Sequence, residues 1–253
     1  MRARAFARDL EGTRLNRSRR HLLSSVIALA AVAGAVVTPA IAAEPPFLTA
    51  KQLDLTRILP TPIANGSAEA RAEEQLVIAA QKTASAERIA LAAADAKETV
   101  YDMFTRTLGT AFVPETLPRA AAFFARVGDS EDETVDPVKK IYGRTRPFLA
   151  NPDIKPLITQ SKSGAYPSGH TTRVTLMAIV LGDMIPERRA QPWARAAEYA
   201  ESRVIGGMHY PNDLAAGRMA GVAMAMAMAM AADPQFRAES EAAKVEVRKA
   251  LGL

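Results

Sequence analysis

Residues 223–230 read Ala-Met-Ala-Met-Ala-Met-Ala-Met, and few eight-residue runs limit a fold so firmly. Strict alternation has the period of a strand, but alanine and methionine are both strong helix formers and neither is β-branched. The run is therefore expected to be helical, and a helix that is apolar on all sides is expected to be buried. A membrane span is the competing reading, but Arg218 interrupts it and the uninterrupted apolar stretch is too short. Pro211 suits the first position of this helix, because proline has no N–H to leave unpaired there. No convincing strand, repeat or glycine-rich dinucleotide loop occurs elsewhere. The expected fold is all-α, a single-domain helical bundle.

The rest of the chain is punctuated by proline and by capping residues. Residues 43–66 contain Pro45, Pro46, Pro60 and Pro62 and end in Asn65-Gly66, which predicts an irregular N-terminal arm ahead of a helical domain over 67–253. Ser67 can cap a helix, and apolar residues then recur at helical spacing towards Leu108 (Leu76, Ala79, Ala80; Ile89, Ala92, Ala93), giving one or two helices with a break near Thr83–Ser85. Pro114 and Pro118 bracket a turn before a short helix over 119–127. The acidic stretch Asp129–Asp136 reads as a loop, and Asp136-Pro137 as a cap followed by proline at the start of a new helix. Further helices are expected from Pro167-Ser168 to about Met184, and from about Pro192 to Val204, stopping at Gly206-Gly207.

Charge is unevenly placed. The chain carries a formal +5, and residues 1–42, with seven arginines against Asp9 and Glu11, account for all of it. The remainder is formally neutral, so the basic footprint of a nucleic-acid binder is missing. Within residues 1–42 a basic stretch ends at Arg17-Ser-Arg-Arg-His21, an apolar run extends from Leu22 to Val37, and Ala40-Ile-Ala42 offers a small-x-small cleavage site. That is the layout of a secretory signal peptide, and Arg19-Arg20 also fits a twin-arginine export signal. A periplasmic or secreted protein is expected, with no stable membrane insertion of the mature chain. There is no cysteine, hence no disulfide and no thiolate metal site. The arm and the acidic stretch are candidate contacts for a homo-oligomer.

Three clusters stand apart. The first is Lys139, six residues, Arg146-Pro147; the second is Tyr166-Pro-Ser168-Gly169-His170; the third is Ser202-Arg203, five residues, His209, three residues, Asp213. Lys139 and Lys140 are placed by the sequence in the first turn of a helix, where a cation opposes the helix dipole. Arg146 precedes proline and should be extended. Ser168 reads as a cap, which leaves the backbone N–H groups of a helix start as an anion site; Gly169 permits close approach, and His170 stands beside it as a proton donor. Asp213, in the first turn after Pro211, can reach back and accept a hydrogen bond from the N–H of one ring nitrogen of His209, leaving the other unprotonated and nucleophilic. With His21 in the leader, only these two histidines remain, too few for a His-rich metal site.

This set of motifs resembles the phosphatidic-acid-phosphatase type 2 and vanadium-haloperoxidase superfamily, and within it the exported bacterial class A nonspecific acid phosphatases. The resemblance implies a metal-independent phosphatase without cofactor, acting on small phosphate monoesters. It implies that His209 attacks phosphorus to form a phosphohistidine, Asp213 fixes its tautomer, and His170 protonates the leaving group and then activates water. Lys139, Arg146, Ser168, Gly169 and Arg203 would hold the phosphate oxygens. A vanadium-dependent haloperoxidase is the alternative, since vanadate can occupy the same cradle.

Overall fold

The computed structural model describes residues 44–231 and 233–253; the leader expected over 1–42 lies outside them. Among the described residues the regular structure is entirely helical, in α1 (Ala68–Thr83), α2 (Ala86–Ala94), α3 (Val100–Leu108), α4 (Pro118–Tyr142), α5 (Pro147–Ala150), α6 (Gly169–Met184), α7 (Ala190–Ile205), α8 (Pro211–Met230) and α9 (Pro234–Ala250), with short 3₁₀ turns between. Caps mark the early starts: the hydroxyls of Ser67, Ser85 and Thr99 each accept the backbone N–H three residues on. The break expected near Thr83–Ser85 is present, and a second one at residues 95–99 divides the region into three helices.

The largest departure from the sequence reading is α4. Residues 129–136 are not a loop but the middle of a 25-residue helix, with Pro137 inside it. Val127, Ser130, Glu131, Thr134, Val135 and Val138 are all buried, a helical stripe that its polar members conceal from a count of apolar residues. Those polar members have partners. The Ser130 hydroxyl accepts the N–H groups of Phe47 and Leu48 in the arm, and Glu131 accepts from Arg173 on α6. The arm is irregular apart from a 3₁₀ turn at Leu55–Arg57, yet it buries Phe47, Leu48, Leu55 and Leu59. α9 lies beyond the helices expected from the sequence and seals the far side of α4 with Ala243 and Val247.

α8 begins and ends where the sequence predicts, but it is not buried all round. Met224 and Met228 are in the core, while Met226 is 58% and Met230 77% exposed. Residues two apart on a helix point to nearly opposite sides, so alternation every second residue produces two opposed methionine stripes, of which one is covered. No single described helix is long and apolar enough to cross a membrane.

α6 and α8 form the closest pairing in the fold. A Cβ at Gly217 would stand 2.7 Å from the Ser168 carbonyl oxygen, and one at Gly221 would stand 2.7 Å from that of Thr172. These two glycines, one turn apart, let the helix backbones touch. The Ser168 N–H also donates to the Asp213 carbonyl at 3.1 Å. The starts of the two motif helices are therefore side by side.

Candidate active site

α4 ends at Gly143, which adopts the left-handed conformation (φ 54°) that closes a helix with least strain on glycine. Lys139 is thus in the last turn of α4 and not in the first turn of a new helix, so its charge complements the dipole instead of opposing it. Arg146 is extended, as expected before Pro147. Ser168 caps α6, its oxygen accepting from the N–H and hydroxyl of Thr171. Arg203 sits in the last turn of α7, and Gly207 (φ 74°) turns the chain back so that His209 immediately precedes α8.

These elements converge. Lys139, Arg146, Gly169, His170, Arg203 and His209 line one cavity of about 180 Å³, joined by the carboxylates of Glu98, Glu131, Asp132 and Asp136 and by Ser161 and Ser163. Ser168 and Asp213 stand behind the wall, wholly buried. Gly169 is tightly packed: a Cβ there would lie 3.0 Å from Glu131 Oε1 and 3.3 Å from Lys139 Nζ. The N–H groups at the start of α6 and the Lys139 ammonium thus approach the same small space. Burial and the neighbouring Arg146 lower the Lys139 pKa, against the pull of Glu131. Burial raises Glu131 to about 7 despite Arg173 beside it.

Arg146 is the most firmly held of the cations. Its Nε donates to the Ser163 carbonyl at 2.8 Å, and Nη2 donates to the Gly164 carbonyl. Nη1 donates to the Met208 carbonyl at 3.0 Å and lies 3.1 Å from His209 Nε2. A guanidinium can only donate, so Nε2 of His209 must be the acceptor and the ring proton belongs on Nδ1. Nδ1 is 3.5 Å from Asp213 Oδ2, longer than a hydrogen bond, and has no other partner. The expected His209–Asp213 pairing is therefore close but not closed. Asp213 Oδ2 instead accepts the Tyr210 N–H at 2.9 Å, completing a capping box, and Oδ1 pairs with Arg144.

Arg144 is a residue that the motif reading did not single out. It is buried between Asp213 and Glu73 of α1, with its guanidinium over the Tyr210 ring at 4.3 Å. Glu73 also accepts the N–H of Asn212 at 2.7 Å. Burial pushes the Asp213 carboxyl up to about 7, while Arg144 and the Tyr210 N–H pull the other way. Burial, with Arg146, Lys139 and Arg203 adding to it, holds His209 well below the ordinary imidazole pKa.

Glu98, between α2 and α3, is the second such residue. Its Oε1 lies 2.5 Å from His170 Nδ1, and His170 Nε2 is 3.3 Å from the Ala96 carbonyl, so both ring nitrogens face acceptors. Burial and Arg203 lower the His170 pKa, partly offset by Glu98. Burial raises Glu98, but its bond to His170 and the charges of His170, Arg173 and Arg203 outweigh that and hold it at about 2. Arg203 donates to the Asp95 carbonyl at 3.3 Å, and its buried Nε has no partner. Asp95 is itself gripped by Arg195 and by Ser202, whose hydroxyl donates to it at 2.6 Å. Ser202, adjacent to Arg203 in the third motif, thus acts on its neighbour through the loop that Arg203 touches. Neither Glu98 nor Arg144 has a signal in spacing or capping that would have marked it.

An unpaired buried guanidinium N–H, a lysine and a free helix start around a small cavity make a site for a tetrahedral anion. Residues 122–237 match the PAP2 superfamily. The chain is similar to the non-specific acid phosphatase of Salmonella typhimurium (44% identity over 33% of this chain and 35% of that protein). It is also similar to the non-specific acid phosphatase of Providencia stuartii (34%, over 49% and 50%) and an acid phosphatase of Zymomonas mobilis (31%, over 53% and 52%). The matches span from about a third to about half the length of these curated relatives. A solved structure, the transmembrane PAP2-type phosphatidylglycerolphosphate phosphatase of Bacillus subtilis, is 19% identical, covering 71% of this chain and 91% of that one, with a TM-score of 0.47.

Proposed function

We propose that this protein is an exported acid phosphatase that hydrolyses small phosphate monoesters through a phosphohistidine. The observation that carries this reading is the tautomer of His209: with its proton on Nδ1 facing Asp213, Nε2 holds a lone pair inside a cavity lined by cations. A phosphoryl group seated between Lys139, Arg146, Arg203 and the start of α6 takes the place of Arg146 as partner of that lone pair. Nε2 attacks phosphorus, the bond to the ester oxygen breaks, and the leaving alkoxide takes a proton from His170. Neutral His170 then takes a proton from water, whose oxygen attacks the phosphohistidine and releases inorganic phosphate and free His209. Positioning and neutralisation of the transferring group supply most of the catalysis in such chemistry, and no step calls for a metal or cofactor. Ser168 would serve through its cap and the helix start it fixes.

The acid phosphatase relatives support hydrolysis over the alternative, vanadium-dependent halide oxidation. The experiment is hydrolysis of p-nitrophenyl phosphate in EDTA, with a rapid quench that looks for a base-stable, acid-labile phosphoryl adduct. His209→Ala should abolish both turnover and adduct. Substantial turnover in that variant, or halide oxidation with vanadate and peroxide in place of hydrolysis, would overturn the assignment. Export is proposed on the leader alone; replacing Arg19 and Arg20 by lysine should stop periplasmic accumulation if the twin-arginine route is used, and leave it unchanged if the general route is.

A further inference from the structure

A second cavity, of about 540 Å³, opens beside the first, and Glu98 is the wall they share. Val100, Tyr101, Phe124 and Met177 give it an apolar and aromatic floor between α3, α4 and α6. Its charged lining is unequal: Glu98, Asp102 and Asp129 are acidic, and Arg173 is the sole cation. Arg173 is already committed, through Nε to Glu131 at 3.0 Å, through Nη2 to Asp132 at 2.6 Å, and through Nη1 near Glu98 at 3.9 Å. Lys97 approaches Asp102 at 3.9 Å, but from solvent, where its charge is screened.

Resting on the phosphatase reading, we infer that this second cavity receives the alcohol portion of the ester and selects aromatic leaving groups that are neutral or cationic over those that carry a second negative charge. The phosphate must enter a small pocket beside His170, and the ester oxygen must face that histidine. Glu98 holds His170 and borders the aromatic cavity, so the remainder of the substrate extends past Glu98 into it. There the ring meets Tyr101 and Phe124, and any further charge meets three carboxylates whose nearest guanidinium is spoken for. A cation gains from the same carboxylates and from the ring faces.

The test compares phenyl phosphate with its para-aminoethyl and para-carboxy derivatives on the purified full chain. At low salt, kcat/KM should be highest for the aminoethyl ester and about tenfold lower for the carboxy ester than for phenyl phosphate, the sum of a few partly screened charge contacts. The gap should narrow as salt is raised. Removing two of the carboxylates together, in Asp102→Asn/Asp129→Asn, should raise the carboxy ester relative to phenyl phosphate. Filling the cavity at Ala121, a small residue of α4 in its lining, by Ala121→Trp should raise KM for phenyl phosphate more than for methyl phosphate. Equal rates for the three aryl esters, or ratios unmoved by these substitutions, would overturn the inference while leaving the phosphatase reading standing. Failure to turn over any ester would sink both.

Discussion

His209 and His170 face one cavity, but they are held in different ways. Behind His209 stands a buried chain of alternating charge, Glu73–Arg144–Asp213, drawn from α1, the segment just after α4, and α8, and closed to solvent. Beside His170 stands one carboxylate, Glu98, on a connecting segment and open to two cavities. On the proposed mechanism the nucleophile is therefore fixed by interior packing, whereas the acid is set where the leaving group would pass. A buried chain gives rigidity and fails badly when cut; a single partner at the edge can be lost with a smaller penalty.

Cutting the buried chain should have the largest effects. Asp213→Asn keeps the shape but removes the charge that favours the Nδ1–H tautomer, and turnover should fall about 10³–10⁴-fold. Arg144→Met strands Asp213 and Glu73 in the interior, which should cost about 3–5 kcal/mol of stability in denaturant titrations as well as activity. Glu98→Gln is predicted to be milder, a loss of about 10–100-fold in kcat, with the larger effect on esters of poor leaving groups that most need the proton of His170. If Glu98→Gln proves as damaging as Asp213→Asn, the contrast between the two sides is wrong.

The subtlest difference is one of pH. The proposed mechanism requires His209 to be neutral, and its pKa is lowered by burial and by Arg146, Lys139 and Arg203. Activity should therefore persist as pH falls below the ordinary imidazole value of about 6.5. It should be lost only when pH passes through the lowered value. Removing a cation raises that value, so Lys139→Met should move the acid limb of kcat/KM upward by about one unit or less, after allowance for ionisation of the substrate. A limb that stays in place would mean that burial alone sets the nucleophile.

How much of this was legible in the sequence follows the distance between partners. Ser168 bonding Thr171, Asp213 reaching back to Tyr210, and Pro211 opening α8 are contacts within a few residues, and spacing reveals them. Arg144 and Asp213 are 69 positions apart, and Glu98 meets His170 from another part of the chain, so no local pattern announces either pair. The continuity of α4 was hidden for the same reason. Ser130 and Glu131 look like loop residues until the arm and Arg173, both distant in sequence, supply their partners. Lys139 lines the cavity from the last turn of α4 and not from the first turn of a helix, so its charge meets a favourable dipole where the sequence suggested an unfavourable one.

The contact of Gly217 and Gly221 with the α6 backbone sets how the site can move. The separation of the two histidines is fixed by main chain resting on main chain and on the stiff Cβ atoms of Thr171 and Thr175, with no long side chain between to adjust. Such a joint does not open in part. Amide protons in the first turns beyond the free N–H groups of α6 and α8 should exchange only when the whole domain unfolds. Activity and native structure should then vanish at one temperature, with no warm, folded, inactive state between them.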